Sequence, residues 1–193
     1  MRESQKHRKT FETDVVVAVN LDTDRPLEIS TNLPLFTHFL TAMGKHGHTR
    51  WQIQATGDIE VDPHHLVEDV GIVMGQVLRE AVGDGHGIYR YGQRYVPMDD
   101  ALVLCALDIS GRGQLYLSGD FPDRMVNGVN AEVWPEFFRA FAAHSGITLH
   151  LVCQAGHNAH HVYEATFKAL GQALWEAVRI NPEWGIPSTK GVL

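Results

Sequence analysis

With 193 residues the chain is long enough for one domain with a sizeable core, or for two small halves sharing one. Its apolar fraction of 44% lies well above disordered compositions, and a net charge of −7 with histidine neutral gives no general electrostatic reason to bind nucleic acid or an anionic membrane. No apolar run approaches the roughly 18 residues of a membrane helix, and the N-terminal "MRESQKHRKTFET" carries no signal-peptide core, so a cytoplasmic location is expected.

In chain order, "DVVVAVNL" (14–21) and "LEIS" (27–30) read as strands. Leu33, Phe36, Leu40 and Met43 recur at helical spacing over 33–46, with Gly44 and Gly47 near the end. "WQIQATG" (51–57) alternates as a strand. A helix follows over 64–83, with Asp62 as its cap and Pro63 in its first turn. After the glycine-rich loop "GDGHGIYRYG" (83–92) come strands over 101–110 and 114–119, a helix over 133–144, a strand over 147–156 and a helix over 160–178. Cys105 and Cys153 sit in apolar strand runs and read as reduced, buried residues.

The order β-β-α-β-α therefore occurs twice, which predicts an α+β fold made by internal duplication, with helices packed on antiparallel or mixed sheets. The repeat is also legible letter by letter. "GQVLREAV" from Gly75 returns as "GQALWEAV" from Gly171, an offset of 96. His64, His65 and Glu68 map at that offset onto His160, His161 and Glu164. Upstream the offset is 98, which maps His46 onto His144 and His38 onto Glu136. A single domain of two pseudo-symmetric halves, about 1–92 and 93–193, is expected.

Histidine is the compositional outlier. Of 12, six lie between 38 and 86 and five between 144 and 161. On a helix, residues three or four apart share a face, whereas neighbours diverge by about 100°. Glu68 therefore lies near one histidine of its pair, and the two imidazoles point apart, suiting two different ions. With His38 and Glu136 the two copies supply eight candidate ligands. Imidazole and carboxylate without thiolate suit Mn²⁺, Fe²⁺ or Zn²⁺. Arg90, Arg112 and Lys190 lie beside glycine or serine in loop and tail contexts where anions are held, and Lys168 falls on the His161 side of the last helix.

These motifs carry a resemblance. "RKTFET" (8–13), "GDIEVDPHHLVEDVGIVMG" (57–75), "GDGHGIYRYG" (83–92), "PMDDALVLCALDISGR" (97–112), "GITLH" (146–150), "NAHHVYEATFKALG" (158–171) and "PSTKGVL" (187–193) together resemble the imidazoleglycerol-phosphate dehydratases. The resemblance implies a ribosomal protein S5 domain 2-like fold and two Mn²⁺ per site. It also implies a homo-oligomeric shell of 24 subunits with sites between them. It places metal ligands on His38, His64, His65, Glu68, Glu136, His160, His161 and Glu164. Substrate contacts fall on Glu12, His46, Arg90, Arg112, Lys168, Ser188 and Lys190. The implied reaction removes water from D-erythro-imidazole glycerol phosphate, with the imidazole, as imidazolate, held between two metals. Glu164 is the preferred base, Glu68 its pseudo-symmetric rival, and His46 stands with the catalytic groups. Thr37, Ala42, Leu66 and Glu136 depart from the commoner family residues.

Two other classes use the same ligands: a dinuclear metallohydrolase and a non-catalytic metal-binding shell protein. The first does not account for the anion-binding set together with the duplication. The second needs no "SGR" or "S-x-K-G" element.

Overall fold

The computed structural model describes residues 1–23 and 28–193. Leu27, the first residue of the strand expected over 27–30, lies outside the described residues. The first sheet is built from β1 (Glu3–Lys9), β2 (Thr13–Asn20), β3 (Glu28–Thr31) and β4 (Arg50–Gly57), in the order β1-β2-β4-β3. The second uses β5 (Tyr91–Met98), β6 (Ala101–Ile109), β7 (Gln114–Gly119) and β10 (Ile147–Ala155), in the order β5-β6-β10-β7. Both sheets thus share one strand order. In each, one pair is parallel (β3 with β4, β7 with β10) and the other neighbours are antiparallel. β8 (Met125–Val126) and β9 (Val129–Asn130) form a small separate hairpin.

The expected β-β-α-β-α run is present in both parts, but each is preceded by a further strand, β1 or β5. Neither was legible as a strand. β1 reads "ESQKHRK", with no apolar alternation, and most of its residues are exposed. It is an edge strand held by its backbone ladder to β2 from Glu3↔Asn20 to Lys9↔Asp14. β5 begins at Tyr91, inside the stretch read as a glycine-rich loop, and pairs only with β6.

The helices are α1 (Pro34–His46), α2 (Pro63–Val82), α3 (Val133–Ser145) and α4 (Ala159–Val178). α2 lies on the first sheet and α4 on the second, while α2 packs on α3 and α1 on α4. Glycines permit the helix pairs to approach. A Cβ on Gly75 would sit 2.7 Å from the Phe141 carbonyl oxygen of α3, and one on Gly171 would collide with the Met43 carbonyl of α1. The repeated "GQ" thus marks two equivalent helix crossings.

Alternating strands turn Val15, Val17, Val19, Ile53, Val103, Cys105, Leu149 and Leu151 inward. An aromatic cluster seals the helices. Phe167 of α4 stacks on Phe39 of α1 at 5.3 Å and lies 5.0 Å from Phe137 of α3. Cys105 and Cys153 are buried and unpaired. No helix among the described residues is long and apolar enough to cross a membrane.

A candidate metal centre and the polar groups around it

The α1–α4 crossing brings together three residues far apart in sequence. His38 of α1 and His160 of α4 place their Nε2 atoms 3.1 and 3.0 Å from the same oxygen, Oε2 of Glu164. The three donor atoms lie within 4.8 Å of one another. Phe39 lies edge-on to His160 at 5.5 Å, so the apolar cluster forms the floor beneath the imidazoles. The Glu164 residue is 7% exposed. Burial alone would raise its pKa, but the hydrogen bond and charge of Lys168, 2.8 Å from Oε1, and the contact with His38 outweigh it and hold the carboxyl down at about 2.

Capping sets up each pair. The Asp62 carboxylate accepts from the His64 N–H at 2.9 Å with Pro63 in the first turn, as expected for α2. Asn158 plays the same part for α4, accepting from the His161 N–H. The pairs diverge as the helix dictates, with ring centroids 6.3 Å apart in both and interplanar angles of 81° and 87°.

His64 Nε2 is 3.6 Å from Glu68 Oε2. Among the described residues, no three-ligand group forms around His64, His65 and Glu68. Glu136 occupies the position in α3 that His38 occupies in α1, yet it pairs with Arg139. The reason is electrostatic: His38 donates to Glu164, whereas Glu136 and Glu68 are both acidic and have no mutual attraction. The α2 and α4 motifs sit on separate helix pairs, and the chain by itself does not unite them.

The expected anion-binding residues form a second constellation. Arg90 donates through Nε to Asp108 at 2.7 Å and through Nη1 to the Pro187 carbonyl at 2.8 Å, so it ties the tail carrying Ser188 and Lys190 to β6. The Asp108 contact raises its already high pKa. Arg112 reaches the same carboxylate at 3.6 Å, with its side chain 66% exposed. The Ser188 hydroxyl accepts from the Lys190 N–H at 3.2 Å, and Lys190 is exposed. Lys168 stands apart from this group, at the metal-type cluster. His46 is exposed; what desolvation it has, with the charges of Lys168 and Lys45, lowers its pKa. Glu12 is exposed and 3.9 Å from His65 Nδ1.

Several groups escaped sequence reasoning. His65 Nδ1 faces Asp58 at 3.0 Å and His161 Nδ1 faces Asp100 at 2.7 Å, an arrangement that orients each ring through one nitrogen. Asp100 also accepts the His157 and Asn158 N–H groups, which with His161 hold its pKa well below the usual carboxylate range. Asp58 follows β4 and Asp100 precedes β6, so no shared spacing announces their common task. The departures from the family pattern are absorbed locally. Thr37 bonds Thr31 across the start of α1, Ala42 is buried, and Leu66 packs against Gly57.

The chain matches a family model described as imidazoleglycerol-phosphate dehydratase over residues 31–174. Among curated proteins it is 47% identical over 194 residues to the imidazoleglycerol-phosphate dehydratase of Streptococcus sanguinis, covering 100% of each chain. It is 48% identical to that of Moorella thermoacetica, covering 100% of this chain and 98% of the other. The crystal structure of the Staphylococcus aureus enzyme superposes with a TM-score of 0.84 at 35% identity, covering 93% of this chain and 99% of that one. The Pyrococcus furiosus structure gives 0.84 at 37% identity, covering 97% and 100%.

Proposed function

The chain belongs to the imidazoleglycerol-phosphate dehydratase family, hydro-lyases of histidine biosynthesis, and from that premise we propose that it converts D-erythro-imidazole glycerol phosphate to imidazole acetol phosphate at a site using two Mn²⁺. The observation that carries this reading is the meeting of His38, His160 and Glu164 within 4.8 Å. The donor set fits such an ion: two imidazole nitrogens and a carboxylate oxygen converge, no thiolate is present, and Lys168 keeps Glu164 ionised. His38, His160 and Glu164 would hold one ion, with His64, His65, Glu68, Glu136 and His161 completing the pair of sites. When bound, the ions would supply Lewis acidity to the substrate imidazole.

The chain's own groups do the rest. Asp58 and Asp100 fix the rings of His65 and His161 through Nδ1, and Nε2 of His161 lies 3.4 Å from Asp99 Oδ2. Arg90, Arg112, Ser188 and Lys190 take the phosphate, and that remote binding energy fixes the reacting carbon in place. Glu164 takes the proton from the carbon attached to the ring, with Glu68 its counterpart in the other half. The side chain of Glu164 is 9% exposed and Lys168, 2.8 Å away, keeps it ionised, the form that can accept a proton. Glu12 and His46 contact the substrate from the rim.

We also read the chain as one domain of two pseudo-symmetric halves, about 1–92 and 93–193, acting in the cytoplasm. It assembles as a homo-oligomer of 24 subunits with sites between them. The separation of the α2 and α4 motifs supports shared sites, because one chain leaves each paired motif without the other. The test is incubation of the Mn²⁺-loaded protein with imidazole glycerol phosphate. Ketone product without release of inorganic phosphate is expected. Phosphate release would instead support the metallohydrolase, and no turnover the non-catalytic shell.

A further inference from the structure

Asp69, the residue after Glu68 in α2, is a carboxylate only 8% exposed. It accepts from the Thr13 hydroxyl at 2.5 Å and from Arg8 Nε at 2.9 Å. Thr13 Oγ1 lies 3.1 Å from Thr10 Oγ1, which in turn accepts from the N–H groups of Glu12 at 3.1 Å and Thr13 at 2.9 Å. The Glu12 carbonyl accepts from the Asp58 N–H at 3.1 Å. The turn between β1 and β2 is therefore held from both sides, and Glu12 stands exposed at its tip.

The second half shows what the same place requires when only the fold is at stake. A Cβ on Gly57 would meet Leu66 and Thr13, and one on Gly156 would meet Val162 and Ala101. Leu66 and Val162 are related by the 96-residue offset, so Ala101 is the counterpart of Thr13 and Ala165 that of Asp69. Ala101 is 2% exposed and Ala165 0%. The helix thus docks on its sheet with two alanines, and a buried carboxylate, costly unless fully bonded, is not required for docking. One residue before Ala101 is Asp100, the counterpart of Glu12, and it binds His161 Nδ1 directly at 2.7 Å. In the first half Asp58 occupies that nitrogen of His65 at 3.0 Å, and Glu12 is left 3.9 Å away with its side chain 56% exposed. The buried Thr13–Asp69 pair occurs in the half whose turn carboxylate stands 3.9 Å from its histidine, beyond hydrogen-bond distance.

We propose that Asp69 is a positioning residue for Glu12: through Thr13 and Thr10 it locks the turn so that the Glu12 carboxylate is presented to the substrate beside His65. The proposal rests on Glu12 being a substrate-binding group. The Thr13→Ala/Asp69→Ala double variant installs the alanine pair with which the other half docks its helix, and it releases Arg8, whose side chain is 43% exposed, to solvent. With imidazole glycerol phosphate as substrate, Glu12→Gln is expected to lower kcat/KM roughly tenfold to a hundredfold, the scale of a charge-assisted hydrogen bond. The double variant should show a similar loss while still melting cooperatively and keeping its metal content, and the triple variant should be no worse than either. Asp69→Asn, which keeps the shape but removes the charge, should show part of the loss and serves if the double variant does not fold. Wild-type kcat/KM in the folded double variant, or in Asp69→Asn if the double variant fails, overturns the positioning role while leaving Glu12 in place. A loss that multiplies fully with that of Glu12→Gln overturns it too. Wild-type kinetics in Glu12→Gln overturn the role of Glu12 and the positioning together.

Discussion

Glu164 meets the Lys168 ammonium at 2.8 Å through Oε1, which leaves Oε2 to His38 and His160. This contact, with that of His38, sets the charge of the candidate centre, because burial by itself would push Glu164 toward its neutral form. The carboxyl is held at about 2 against an ordinary 4.5. A carboxyl depressed in the folded state contributes stability that is full above about 4.5 and lost as pH falls through about 2. In chelator-treated protein, Lys168→Met is therefore expected to move the acid unfolding midpoint to higher pH. Circular dichroism against pH checks this, and superimposable curves would contradict it.

Metal retention should depend on both halves of the repeat. His65→Ala and His161→Ala are each expected to lose metal and nearly all activity, because each ring is the carboxylate-oriented member of its pair. Elemental analysis after gel filtration gives the answer. Full metal content in both variants would sink the two-ion reading.

Arg112 and Lys190 are exposed and lie at the end of the network through which Arg90 ties Asp108 to the tail. Arg112→Ala and Lys190→Ala should weaken substrate binding roughly tenfold to a hundredfold while leaving metal content intact. Steady-state kinetics against wild type would show this chiefly in KM. Unchanged constants would place the phosphate elsewhere.

The α1–α4 crossing should tolerate no side chain at its closest point. Gly171→Ala drives a methyl into the Met43 carbonyl and is expected to cost about 1–3 kcal/mol, as overpacking does. Gly185→Ala, where a Cβ meets nothing within 4 Å, is the control and should leave thermal melting near that of wild type. Equal melting of the two variants would remove the crossing from the account.

Assembly and metal should be linked. If sites close only between subunits, stripping the ions releases smaller species by mass action. Light scattering with and without chelator tests the linkage. A monomer that keeps its metal and full activity would refute shared sites and leave the dehydration reading standing.

Local chemistry in the sequence determined a good deal by itself. The duplication, the two HHxxE helices with the Asp62 cap before the first, and the divergence of adjacent histidines all follow from short spacings and the 3.6-residue turn. The β1 and β5 edges were hidden because an edge strand can be polar and is held by backbone bonds, which leave no side-chain period. Tertiary structure alone decided that His38 meets Glu164 across a glycine-lined crossing while Glu136 turns to Arg139. It alone decided that Asp58 and Asp100, without a shared spacing, reach the same nitrogen of the two histidines. It likewise decided that Asp69 is buried against Thr13 where the repeat has alanines. These are partnerships between elements, and which side chains meet depends on how helix and sheet dock, a distance in space that no spacing along the chain encodes.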